Sequence, residues 1–281
     1  MTVSVSDLQA YLRRVAALQY TTVALPGLSL YFHPSDDLTF FNYAVPDGDW
    51  AVDLDASLAR MRAECAVRAR TARFEFILEY APGLGAALRA AGFVEEARQP
   101  LMVCTAQRFC AAEPMPGLAI DELDGDAPVG DLQAFLGVQQ QGFDPGAAGP
   151  VGEAEARGFA RTLGQGRAFL ARLGREAVAA GSYGTPLEVG PDAHGHGRAA
   201  RIAELTGLTT LAPFRRRGIA TALTARAVQS AFARGVDVVC LVAADARAGR
   251  VYERVGFRAC ATMLAYVDGQ ETRFRGQKPG F

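Results

Sequence analysis

The run Leu208-Thr209-Thr210-Leu211-Ala212-Pro213-Phe214-Arg215-Arg216-Arg217-Gly218-Ile219-Ala220 reads as a β-rich stretch, a turn, and a helix that opens on small residues. A strand that passes through a turn straight into a helix aims several unpaired backbone N–H groups, and the positive end of the helix dipole, at one point. That arrangement suits a phosphate or a diphosphate. Gly218 and Ala220 let a ligand approach the backbone, and Arg215, Arg216 and Arg217 add charge. Taken alone, R-x-x-G-x-A equally describes a glycine turn beside a solvated basic patch. It does not stand alone, because residues 238–243 read as the next strand, followed by Asp245-Ala246-Arg247-Ala248-Gly249-Arg250-Val251-Tyr252-Glu253-Arg254-Val255-Gly256-Phe257.

This joint pattern, strand, R-x-x-G-x-A helix, strand, then D-x-x-A-x-x-V-Y-E-x-x-G-F, resembles the GNAT superfamily of acyl-CoA-dependent N-acetyltransferases over residues 118–267. The resemblance implies an α/β fold with a mixed, mostly antiparallel central sheet flanked by helices, and acetyl-CoA as cosubstrate without a metal. It implies that the backbone N–H groups of Arg216, Arg217, Gly218, Ile219, Ala220 and Thr221 hold the CoA diphosphate. Leu208, Thr209 and Thr210 would form the wall for the pantetheine arm, through the main chain of Leu208 and Thr210, where neighbouring strands splay. Tyr252 matches the tyrosine that protonates the leaving thiolate in many members; a phenol of pKa about 10 can serve a thiolate whose thiol lies near 8.5. Asp245 stands where the family more often has asparagine, so it either contacts the cofactor or caps the helix that follows.

The implied reaction is direct attack of a primary amine, of a small molecule or peptide, on the thioester. An ammonium of pKa near 10 is no nucleophile, so a base is needed. Glu204 is the candidate, in the strand that reaches the splay and inside the otherwise uncharged run 202–213. The alternatives are an edge position for Glu204 and, for the whole chain, a non-catalytic acyl-CoA sensor or interaction module. The acceptor is not named by the sequence: amino acid, polyamine, aminoglycoside and protein amine all fit.

Other chemistry-bearing residues have plainer readings. His194 and His196 fall in a glycine-rich turn without a third ligand nearby, so a solvated hairpin is favoured over a metal site. Cys240 reads as an inert core thiol. Phe32-His33 and Phe40-Phe41-Asn42-Tyr43 read as core packing, with one ring free to line an acceptor pocket.

These residues need a scaffold, and the pattern supplies one. Helices are expected at 6–18 (capped by Ser6), 54–70, 84–91, 129–141, 153–164, 218–234 and 247–255. Strands are expected near 20–33, 38–45, 74–78, 101–105, 118–122, 167–173, 177–183, 200–211, 236–242 and 256–267. Sliding the chain by 164 residues lays Gly92-Phe93 on Gly256-Phe257, Gly85 on Gly249 and the helix at 54–70 on that at 218–234. The first copy has lost the phosphate turn (residues 51–56) and the tyrosine (Leu88 in its place). The expectation is therefore a tandem arrangement, a degenerate lobe at 1–115 and a transferase domain at 116–281, parted by the proline-rich run 109–117.

Composition sets the remaining limits. Twenty-nine Lys and Arg against 30 Asp and Glu, net charge −1, leave no global field for a nucleic acid backbone. No apolar run approaches the roughly 20 residues that span a bilayer, and the start has no secretory leader. Five cysteines without C-x-x-C argue against a disulfide framework and a zinc site. A cytoplasmic monomer or homodimer with a small-molecule amine acceptor, away from membranes, is the expected setting.

Overall fold

The computed structural model describes residues 3–34, 37–146, 149–190 and 199–269 of the 281-residue chain. The chain forms two compact units, one of Thr2–Leu101 with Cys260–Phe281, the other of Met102–Ala259. Each is an α/β layer structure.

The first unit opens with α1 (Val5–Gln19). Its cap is Ser4, where Ser6 was expected. The Ser4 hydroxyl accepts from the Asp7 N–H at 3.1 Å while the Asp7 carboxylate accepts from the Ser4 N–H at 2.9 Å, a reciprocal box. Ser6 has no such partner, since Gln9, three residues on, is buried and turned to the Ile77 N–H. Strands β1 (Thr21–Leu25), β2 (Leu28–Phe32) and β3 (Asn42–Pro46) form an antiparallel meander. Then come α2 (Leu54–Val67), β4 (Arg73–Ile77), α3 (Leu84–Ala90) and β5 (Phe93–Thr105). β5 starts well before the expected residue 101. Its early part is polar because it carries ion-pair partners: Glu96 meets Arg73 at 2.7 Å and Glu95 meets Arg98 at 2.9 Å.

The second unit holds β6 (Leu118–Leu123), α4 (Val129–Phe143), α5 (Glu153–Leu163), β7 (Arg167–Leu173), β8 (Glu176–Tyr183), β9 (Leu187–Val189), β10 (Ala200–Thr210), α6 (Ile219–Ala233), β11 (Val238–Val242) and α7 (Ala246–Glu253). Its sheet runs β11-β10-β8-β7-β6, with β9 beside β10. Every pairing is antiparallel except β10 with β11. One face packs Phe169, Ala179, Ala203 and Leu205 on Ile219, Leu223 and Val228 of α6. The other packs Leu170 and Ala180 on Leu132, Phe135 and Val138 of α4 and Leu163 of α5.

Helix α6 is fastened by Glu122 of β6. Its carboxylate accepts from Arg226 at 2.9 Å, Ser230 at 3.0 Å and Arg234 at 2.6 Å. Burial alone would raise its pKa, yet the hydrogen bonds from Arg234 and Ser230 and the charges of Arg234 and Arg226 hold it below the usual carboxylate value.

The last strand, β12 (Arg258–Asp268), returns to the first unit and pairs antiparallel with β4, Met263 opposite Ile77 through Val267 opposite Arg73. Leu264 and Tyr266 thereby join Phe74, Phe76, Leu84 and Leu88 in its core. The compact units thus part near Met102 and Ala259, whereas the sequence places the division at 115/116. Strand pairing, which no local pattern announces, draws the C-terminal segment back.

Candidate active site

Strand β10 is joined to β11 only from Ile202 to Glu204, opposite Val238 to Cys240, whereas its ladder with β8 continues to Thr210. Beyond Glu204, its β11-facing edge has no strand partner among the described residues. This is the splay. The β8 ladder also slips between Thr206 and Thr209, so Gly207 and Leu208 together stand opposite Gly181. Gly207 takes φ +63°, a conformation open to glycine, and its carbonyl accepts from the Gln139 side chain of α4 at 3.0 Å. Gly142, also on α4, leaves the space that the Thr209 side chain fills. Helix α4 therefore sets the bulge.

The turn after β10 is drawn in by Arg215, whose Nε donates to the Thr210 carbonyl at 2.8 Å. Arg216 is held at φ +68° and Gly218, the N-cap of α6, at φ +86° with no side chain capping the helix. The Arg217 guanidinium lies 5.4 Å over the Phe214 ring. No described acceptor takes the N–H groups of residues 216–221 at the helix start, a geometry suited to an anion.

These N–H groups open onto a cleft of about 720 Å³. Of the residues expected to bind the cofactor, all but Arg217 and Asp245 line it, and so does Tyr252. Thr209 points to α4, so the next side chain, Thr210, points to the α6 face; its buried hydroxyl has no hydrogen-bond partner among the described residues. Tyr252 is half-buried, its ring 6.0 Å from that of Phe257, and no described residue bonds its hydroxyl. Burial, and behind it the Asp245 carboxylate, raise its pKa above 10, the usual value. Asp245 caps α7, accepting from the Ala248 N–H at 2.7 Å.

Glu204 is not part of the cleft lining. It is half-buried where β10 leaves β11, flanked by Ala203 and Leu205, which face α6, so its own side chain lies on the opposite face. Three charged residues of the lining were not singled out from the sequence: Arg247, Arg250 and Arg254. Their spacing in R-A-G-R-V-Y-E-R, read as a helical face, was the available signal.

The first unit repeats this backbone with opposite chemistry. β3 and β4 pair in parallel at Ala44 and Phe74, but the Ile77 N–H beyond that point is taken by Gln9 of α1. α2 also starts from a left-handed N-cap, Asp53 at φ +53°, with Asp55 in its first turn. Two carboxylates at a helix start repel an anion.

The cysteines form no disulfide. Cys240 is fully buried, and burial pushes Cys104 up to about 12 and Cys260 up to about 11, so these two are thiols at neutral pH. His194 and His196 lie outside the described residues. Among the described residues no three His, Cys, Asp or Glu side chains converge as a metal site, and no helix is long and apolar enough to cross a membrane. In the first unit, Phe32 is buried beneath the Arg68 guanidinium, His33 and Phe41 share a ring contact, and Phe40 is 43% exposed.

Comparison with known proteins agrees with this geometry. Residues 143–257 match the profile of the acetyltransferase (GNAT) family. A GCN5-related N-acetyltransferase from Kribbella flavida has a similar structure, with TM-score 0.74 and 22% identity over 95% of this chain and 96% of its own. Another from Sphaerobacter thermophilus has TM-score 0.59 and 15% identity, over 86% and 76%. A tandem GNAT protein from the clavulanic acid biosynthesis pathway has TM-score 0.58 and 15% identity, over 85% and 77%. At these identities the likeness is one of fold. No curated protein matches the chain. The chain therefore has the fold of these GNAT proteins, and its residues 143–257 are similar to the acetyltransferase (GNAT) family.

Proposed function

We propose that the protein is an N-acetyltransferase that moves an acetyl group from acetyl-CoA to a primary amine of a small molecule or peptide, with the chemistry in residues 116–281. The observation that carries this reading is the joint placement, in one cleft, of the uncapped N–H row at the start of α6 and the Tyr252 hydroxyl. The N–H row with Arg215 and Arg216 suits a diphosphate, the open edge of β10 suits an extended amide-bearing arm, and the unpaired Thr210 hydroxyl awaits a polar partner.

Bound acetyl-CoA supplies the thioester, an activated acyl group. Glu204 takes the proton of the acceptor ammonium through a water, from the face of β10 opposite α6. As the C–N bond forms and the C–S bond breaks, Tyr252 gives its hydroxyl proton to the departing thiolate; the nitrogen, left with two protons, releases one to water, and the tyrosinate regains a proton from water. The raised pKa of Tyr252 keeps the phenol protonated at neutral pH, as a donor must be. Backbone N–H groups along the open edge of β10 steady the charge on the carbonyl oxygen. Among the described residues of the first unit, Asp53 and Asp55 at the start of α2 and Gln9 on the Ile77 N–H oppose a second donor site, so the reading assigns one donor to the chain.

A thiol-release assay with acetyl-CoA across a panel of amines tests this. Turnover on at least one amine is expected, with Tyr252→Phe lowering kcat about 10²–10⁴-fold and leaving CoA affinity unchanged. Unchanged turnover in Glu204→Gln would remove Glu204 as the base. CoA binding without thiol release on any amine would favour a non-catalytic acyl-CoA-binding module.

A further inference from the structure

The cleft has a second basic wall that the reaction does not use. Arg247, Arg250 and Arg254 lie at i, i+3 and i+7 along α7 and its C-cap, so they share one helix face, and all three line the cleft. With Arg215 and Arg216 they bring five arginines to a lining that contains no Asp or Glu. None of the three has an ion pair or hydrogen bond with a described residue. Arginines elsewhere do: Arg62 holds Asp268 at 2.6 Å, Arg172 holds Asp131 at 2.7 Å and Arg226 holds Glu122 at 2.9 Å.

Their placement works against the empty helix. Arg247 sits in the first turn of α7, where the helix dipole disfavours a cation. Arg247 with Arg250, and Arg250 with Arg254, are like charges at i, i+3 and i, i+4, which repel. An anion lying on this face would relieve both. The diphosphate assigned to the start of α6 does not meet the need, because the three arginines belong to a different helix and extend over about 10 Å of its axis.

We infer that this face of α7 is a second anion subsite of the cleft, which reads a phosphomonoester separate from the diphosphate: the 3′-phosphate of coenzyme A. The inference rests on the donor reading above and adds to it that the donor is a free 3′-phosphorylated nucleotide. A phosphomonoester carries nearly two charges at neutral pH and offers three acceptor oxygens, which guanidinium forks match.

Calorimetric affinities for CoA and for dephospho-CoA, which lacks only that phosphate, test it on the full chain and on the triple variant Arg247→Gln, Arg250→Gln, Arg254→Gln. The wild type is expected to bind CoA at least about tenfold more tightly than dephospho-CoA. The triple variant should bring CoA down to the dephospho-CoA level while leaving dephospho-CoA affinity as it was. Its ligand-free melting temperature should equal or exceed that of the wild type, since repulsion is removed. Arg250→Gln alone, the middle of the face, should lose part of the preference and serves if the triple variant is unstable. Equal binding of both nucleotides by the wild type overturns the subsite and leaves the donor reading standing. Equal weakening of both in the variant also overturns it, reducing the arginines to a general attractive field. If neither nucleotide binds the wild type, the donor reading falls and the subsite with it.

Discussion

Arg216 is an L-residue held at φ +68° in a turn that the donor reading assigns to phosphate binding. The left-handed region costs a non-glycine residue about 1–2 kcal/mol. Arg216→Gly removes that strain, and the extra freedom of glycine in the unfolded chain returns about 0.5–1 kcal/mol of it. The net gain is about 0.5–1 kcal/mol, which in a protein of this size is a rise in melting temperature of about 1–3 °C. Donor binding should move the other way. Loss of one charge-assisted bond to phosphate is worth about 1.5–3 kcal/mol, or about 10–100-fold in Kd. Arg216→Ala separates the two effects, since it loses the charge but keeps the strained backbone: it should bind CoA as poorly as the glycine variant without melting higher. Differential scanning calorimetry and titration with CoA measure both quantities. If Arg216→Gly melts below the wild type, or binds CoA as the wild type does, the idea that strain is held at this turn for binding is wrong.

Three further outcomes follow from the same coordinates. Gly142→Ala adds a Cβ where the Thr209 side chain lies, so it should destabilise by about 1–3 kcal/mol in urea titration and weaken CoA binding; Gly137→Ala, with open space in the same helix, should stabilise by about 1 kcal/mol. Glu122→Gln should cost about 1–3 kcal/mol at pH 7. Because the folded pKa of Glu122 is depressed, its contribution is complete above the unfolded value of about 4.3 and is lost as pH falls through the folded value, so wild type and variant should converge in acid denaturation. A chain ended at Ala259 loses Leu264 and Tyr266 from the first core, each worth about 2–5 kcal/mol, and hydrogen exchange should show β4 unprotected.

Much of the scaffold was legible because it is written locally. Gly92 and Gly256, 164 residues apart, both adopt positive φ (+89° and +105°) and end α3 and α7. The shift also carries α2 onto α6, β4 onto β11 and β5 onto β12. Asp245 as a cap and the small residues at the start of α6 were likewise readable from side-chain chemistry over a few positions. What the sequence withheld is non-local. The return of β12 to β4 depends on a strand pairing between distant segments. The side on which Glu204 falls depends on its neighbours' packing, and the bulge at Gly207 depends on Gln139 and Gly142 of another element. The basic face of α7 was present as spacing but gains meaning only when the cleft brings it opposite α6.

The most direct test of the account is the structure of the chain crystallised with coenzyme A. The account predicts the diphosphate oxygens within about 2.7–3.2 Å of N–H groups at the start of α6, with the sulfur next to the Tyr252 hydroxyl. A ligand bound elsewhere, with that helix start facing only water, would contradict it.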